Sequence, residues 1–100
     1  MLALSVMIET FPEFTDQYRE AVMRHAYNTM TNEVGCVQFT VHEHASDPDR
    51  FFLYEAYKSE KDLTEVHQTA SYFKEFQDKT KSWVKSSQVE RWASKAASKV

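Results

Sequence analysis

Cysteine, glycine and proline are scarce in this chain of 100 residues, which has one, one and two of them respectively. A lone cysteine, Cys36, excludes an intramolecular disulfide and is compatible with a reducing compartment. No base adjoins it in sequence, so it reads as a packed structural thiol. An excess of positive charge is also missing. The formal net charge is -3, the pI is near 5.8, and no Lys/Arg cluster precedes the tail. Nucleic-acid binding is therefore disfavoured. No apolar run approaches the length that spans a bilayer. The segment Met1 to Glu9 lacks a basic n-region and meets an acid at Glu9, so it reads as a strand and not as a signal peptide. At 42% hydrophobic and 27% charged residues the chain has an ordinary globular composition with material for one core. A cytoplasmic enzyme fits this balance, with one expected domain over residues 1–93 and a tail over 94–100.

The organising stretch is Arg50-Phe51-Phe52-Leu53-Tyr54-Glu55-Ala56-Tyr57. Read as a strand, it places Phe51, Leu53, Glu55 and Tyr57 on one face and Phe52, Tyr54 and Ala56 on the other. Both faces are largely apolar and require cover, and Glu55 becomes a carboxylate in a partly dry place that needs a partner such as Arg50 or a tyrosine hydroxyl.

Leu2, Leu4, Val6 and Ile8 alternate with Ala3, Ser5, Met7 and Glu9, which predicts a first strand with one apolar face. Thr10-Phe11-Pro12-Glu13 carries a hydroxyl cap, an early proline and an acid three residues on, a helix-start signature. Phe14, Tyr18, Ala21, Val22, His25, Ala26 and Thr29 then recur at helical spacing, which turns His25 toward the core. Gly35 can supply a positive φ for the turn into a second strand, in which Val37, Phe39 and Val41 alternate with Cys36, Gln38, Thr40 and His42. Asp47-Pro48-Asp49 is a turn into the aromatic strand. Ser59-Glu60-Lys61-Asp62 is a second capping signature, opening a short helix with Leu63, Val66 and His67. A longer helix follows with Tyr72, Phe73, Phe76, Thr80, Trp83 and Val84 on one face, ending at Ser86 and Ser87. Gln88 to Ala93 reads as the last strand. The order predicts an α+β, ferredoxin-like βαββαβ fold with an antiparallel sheet. Its helices cover one sheet face, so the apolar second face calls for another copy of the chain, a homodimer.

The runs Glu33-Val34-Gly35-Cys36-Val37-Gln38-Phe39, Asp47-Pro48 with Arg50-Phe51, Tyr54-Glu55-Ala56-Tyr57, and His67 with Thr69 and Phe73 resemble the antibiotic biosynthesis monooxygenase family over roughly residues 2–93. The resemblance implies a dimeric α/β barrel whose chemistry uses no flavin, haem or metal. The run Arg50 to Lys58, with Glu60, His67 and His25, is also similar to LsrG, the isomerase that processes phosphorylated autoinducer-2, and this suggests His25 and His67 as pocket histidines. Haem-degrading relatives need an Asn on the first strand and a Trp and a His in the helical region. Here Ser5, Met7 and Glu9 occupy that strand face and no Trp precedes Trp83, which disfavours haem degradation.

His67, His25 and Glu55 form the candidate catalytic set, because imidazoles move protons at neutral pH and a carboxylate can fix a tautomer or act as a second base. Tyr54, Tyr57, Phe52, Tyr72, Phe76 and Trp83 are candidate substrate-binding residues for a flat ring system, with core packing as the competing reading. His42 and His44, with Asp47 nearby, have the spacing of metal ligands, but a solvent-exposed turn is the better reading and no metal is expected. Lys81, Lys85, Lys95 and Lys99 read as a solvated face and tail, with phosphate binding as an alternative. The expected function is a cofactor-independent monooxygenase of a small phenolic or quinol-like compound. The alternatives are an LsrG-like isomerase of a phosphorylated dicarbonyl and a non-catalytic dimer that binds a small metabolite.

Overall fold

A computed structural model describes residues 1–95; of the expected tail, residues 96–100 lie outside the described residues. The strands are β1 (Leu2–Thr10), β2 (Cys36–Glu43), β3 (Arg50–Tyr57) and β4 (Val84–Ala93), and the helices are α1 (Thr15–Asn32) and α2 (Ser71–Thr80). They form one antiparallel sheet in the order β2-β3-β1-β4, the ferredoxin-like arrangement. The aromatic strand β3 is central, between β1 and β2, as its two apolar faces require.

The period-two pattern of β1 and the helical period of α1 meet in one core. Leu4 and Ile8 from β1, Tyr18, Val22 and Ala26 from α1, and Phe51, Leu53 and Tyr57 from β3 are all buried together. No described helix is long and apolar enough to cross a membrane.

Five local expectations need correction. Thr10 does not cap α1. It ends β1 and exchanges a 2.7 Å hydroxyl contact with Thr15, while a three-residue 3-10 turn, Pro12–Phe14, precedes the helix proper. Gly35 has no positive φ. Its lack of a side chain serves close approach instead, since a Cβ there would overlap the Asp62 carboxyl group. The strict alternation of β2 fails because the register shifts between Cys36 and Gln38, a bulge that buries Cys36 on the Phe39 side and leaves Val37 exposed. The short helix after β3 is wound as a π-helix over Asp62–His67, with the Gln68 N–H donating to the Leu63 carbonyl at 2.9 Å, and Val66 is exposed. Finally, α2 ends at Thr80, and Val84 to Ser87 belong to β4, where cross-strand pairing with β1 overrides the helical spacing of Trp83 and Val84.

Candidate active site between the sheet and the second helix

The helix-covered face of β3 presents Glu55, and the helices bring two imidazoles to it. His25 sits on the buried stripe of α1, and His67 ends the π-helical segment; their ring centroids are 5.2 Å apart. π-Helical turns recur at functional sites because the widened turn re-aims side chains. Here the winding delivers Leu63 and His67 together into the interior.

His67 is held by carboxylates on either side. Its Nδ1 lies 2.9 Å from Glu33 Oε2 and 3.2 Å from Glu33 Oε1, and its Nε2 lies 3.8 Å from Glu55 Oε1. The near partner fixes the tautomer: Nδ1–H donates to Glu33 and Nε2 keeps a lone pair on the side of Glu55. Glu33 also accepts a hydrogen bond from the Tyr72 hydroxyl, and Glu55 accepts one from the Tyr57 hydroxyl at 2.7 Å. Glu55 thus finds its partner in a tyrosine, not in Arg50. Burial above all pushes the Glu55 carboxyl up from its ordinary range, with the Tyr57 hydrogen bond working the other way. Burial likewise drives the Tyr57 hydroxyl far up, so it stays a protonated donor.

His25 is different. It has no carboxylate partner, and its Nδ1 is enclosed with no hydrogen bond at all. The ring stacks on Phe76 at 4.3 Å with the planes 2° apart and meets the edge of Phe39 at 5.6 Å. Burial first, and then His67, lower its pKa from 6.5 to about 3. A charged imidazole over Phe76 would recover about 2 kcal/mol, or about 1.5 pH units, which does not offset the burial, so the ring is neutral at physiological pH.

These groups open onto a cavity of about 610 Å³. His25, His67 and Glu55 lie along it, Leu4, Val6, Ile8, Leu53 and Phe76 give apolar wall, and Lys81, Lys85, Ser86 and Ser87 also line it. Among the expected substrate-binding residues only Phe76 is on this wall. Tyr57 is wholly buried behind it, and Tyr72 lines a smaller cavity of about 90 Å³ between α1 and α2 that shares His25 and Phe76. Phe52 and Tyr54 stand on the opposite sheet face, away from both histidines. Trp83 packs on Phe14 in the core margin. His44 serves the β2–β3 turn, its Nδ1 accepting from the Ser46 and Asp47 backbone N–H groups at 3.1 and 3.0 Å. No group of three or more His, Cys, Asp or Glu among the described residues is arranged to hold a metal ion.

The sequence reading missed Glu33 as a site residue. One signal was present: an acid at the C-cap of α1, with no basic residue in the last turn, sits against the negative end of the helix dipole and needs another reason to be there.

The chain thus presents a ferredoxin-like sheet with a histidine-lined cleft under one face. The sequence profile of the antibiotic biosynthesis monooxygenase family matches residues 1–79, and the chain belongs to that family. A solved protein from Nitrosomonas europaea assigned to the antibiotic biosynthesis monooxygenases superposes with a TM-score of 0.88 at 25% identity, covering 94% of this chain and 98% of its own. A counterpart from Deinococcus radiodurans gives 0.88 at 19% identity over 100% and 98% of the two chains. One from Caulobacter crescentus gives 0.88 at 16% over 95% and 90%; the last two bear on the fold alone. No curated protein matches the sequence significantly.

Proposed function

We propose that the chain is a cofactor-independent monooxygenase of a small phenolic or quinol-like compound, bound in the cavity between the sheet and α2. The observation that carries this reading is His67: Nδ1 is committed to Glu33, while Nε2 is left on the cavity side as a base. His67 Nε2 takes the proton of the substrate hydroxyl or activated C–H, and Glu33 balances the imidazolium. The electron-rich anion reduces O₂ and bonds to it. The O–O bond then breaks as the same carbon gives up its second hydrogen as a proton, one oxygen staying on carbon as a carbonyl and the other leaving as water with that proton and the one returned by His67. An anthrone plus O₂ thus gives an anthraquinone plus water, with every electron drawn from the substrate. The apolar wall excludes water from the anion. Membership of the family and the likeness to the Nitrosomonas protein support an oxygenase.

The test is oxygen uptake by metal-stripped protein with dihydroxynaphthalenes and anthrones. Uptake that disappears in His67→Ala supports the reading; uptake unchanged in that variant removes His67 as the base. A second reading, an isomerase of a phosphorylated dicarbonyl, draws on Lys81 and Lys85 beside Ser86 and Ser87 on the cavity wall, a setting suited to a phosphate. It predicts solvent-deuterium exchange beside a ketone with no oxygen dependence.

The working unit in this proposal is a homodimer in which the open sheet faces meet. Met7, Phe52 and Trp92 are 42%, 38% and 53% exposed on that face, more apolar surface than a free sheet face usually carries.

A further inference from the structure

We propose that His25 is a neutral hydrogen-bond donor in the cavity, its Nε2–H gripping the substrate oxygen on which negative charge gathers, and that it takes up no proton during turnover. The nature of that oxygen rests on the monooxygenase reading, whereas the donor itself does not. The Nδ1 atom is enclosed and unpartnered. A buried nitrogen with no partner is tolerated more readily as a bare lone pair than as an orphaned N–H. The ring's one proton therefore belongs on Nε2. That nitrogen makes no hydrogen bond within the protein and is not among the enclosed unpartnered atoms, so its donor is free for a bound group. The ring lines two cavities, of about 610 and about 90 Å³, and of the two the larger has room for a ring-sized substrate.

The ring cannot easily turn about its Cβ–Cγ bond to carry Nδ1 out of its enclosure. Phe76 lies parallel against one face, Phe39 meets it edge-on, and His67 and Phe73 pack at 5.2 and 6.0 Å. Tyr18, Glu55, His67, Asp78, Lys81 and Lys85 share its cavity, Tyr72 packs from α2, and Arg24, Glu75 and Lys79 line the small cavity behind it. None is a carboxylate bonded to His25, in contrast to Glu33 on His67. The two histidines therefore divide the work: His67 is equipped to carry a proton and a charge, and His25 to offer a hydrogen bond while staying uncharged. A neutral imidazole acting as an electrophile in this way is sound chemistry, because an N–H aimed at a developing oxyanion needs no proton transfer to stabilise it. Burial and the neighbouring His67 keep the ring from charging across the working pH range.

The test is ¹⁵N–¹H correlation NMR of the full chain labelled at histidine, from about pH 8 to about pH 4, with and without 2-hydroxy-1,4-naphthoquinone as an oxyanion probe. The expected result is a His25 ring in the Nε2–H tautomer throughout and an Nε2–H proton that moves downfield with the probe. An Nδ1–H tautomer, an imidazolium near pH 6, or an Nε2–H indifferent to bound probe would overturn the proposal. In turnover, His25→Phe keeps the stack on Phe76 but removes the donor, and kcat should fall about 10²- to 10³-fold with little change in KM, while His25→Gln, which restores an N–H, should recover about tenfold or more. Equal losses in both variants would mark a merely structural ring. If the wild type consumes no oxygen with any substrate but the tautomer and the probe shift are as stated, the oxygenase reading fails and the donor stands.

Discussion

Glu33→Gln isolates the charge behind His67 while keeping the side chain's shape. The carboxylate and the imidazole are both nearly fully buried, with Oε2 2.9 Å from Nδ1. Unit charges about 4 Å apart attract by about 4 kcal/mol at an effective dielectric near 20, and that attraction exists only once His67 has taken a proton. A glutamine carbonyl still accepts from Nδ1–H, a neutral bond worth about 1 kcal/mol. The variant should therefore lose about 2 to 3 kcal/mol of transition-state stabilisation, about a 30- to 200-fold fall in kcat. KM should hardly move, because in the proposed reaction the charge on the imidazole develops only with the transition state. Tyr72→Phe is the control: it removes the other donor to Glu33 but leaves the His67 contact, and its loss should stay under about tenfold. Oxygen uptake with an anthrone measures both. A Glu33→Gln protein with native circular dichroism and kcat within about threefold of wild type would refute the carboxylate's role.

Gly35→Ala should cost about 1 to 3 kcal/mol in urea denaturation, since its Cβ would overlap an Asp62 side chain that Ser59 Oγ already holds at 2.8 Å; Asp62→Gly in the same chain should recover part of the loss. Stability should carry the imprint of His25 on acidification. With a folded pKa of about 3 against 6.5 unfolded, the unfolded chain binds the extra proton, so stability is lost as pH falls below 6.5. Glu55, raised by burial, contributes with the opposite sign, and comparison with His25→Phe separates the two: the wild type should lose about 2 kcal/mol more than the variant between about pH 7 and about pH 5. Equal slopes would mean a His25 that protonates freely in the fold. Light scattering should give twice the protomer mass, and Phe52→Glu on the open face should shift the protein toward monomer; a wild-type monomer at micromolar concentration would remove the dimer.

The order of elements along the chain and the cover of one sheet face were legible because each rests on a short-range period. The alternation of Leu2 to Glu9, the helical stripe from Tyr18 to Thr29 and the two-faced run from Phe51 to Tyr57 all appear in the sheet and core as read. What was not legible depends on contacts far along the chain. Thr10 looks like a cap until Thr15 and the Asp49 carbonyl claim its hydroxyl. Val84 continues a helical stripe until β1 pairs with it. Gly35 looks like a turn glycine, but what forbids a side chain there is Asp62, a residue on a different segment.

The same division runs through the site. His25, His67 and Glu55 could be picked out as polar groups in apolar company, but their roles could not be told apart, because what separates them is the partner each nitrogen finds. His67 meets Glu33 across 34 positions of sequence, and Tyr72 meets the same carboxylate across 39. The π-winding over Asp62–His67 makes the first meeting possible: its wide turn carries His67 inward beside Leu63. His25 gets no such partner, because α1 presents it against Phe76 and Phe39. In the proposed reaction one imidazole holds a proton and the other refuses it. A cleft with two equivalent bases would repel itself on the first proton transfer, whereas a base beside a neutral donor can accept a proton and hold the resulting anion in the same step.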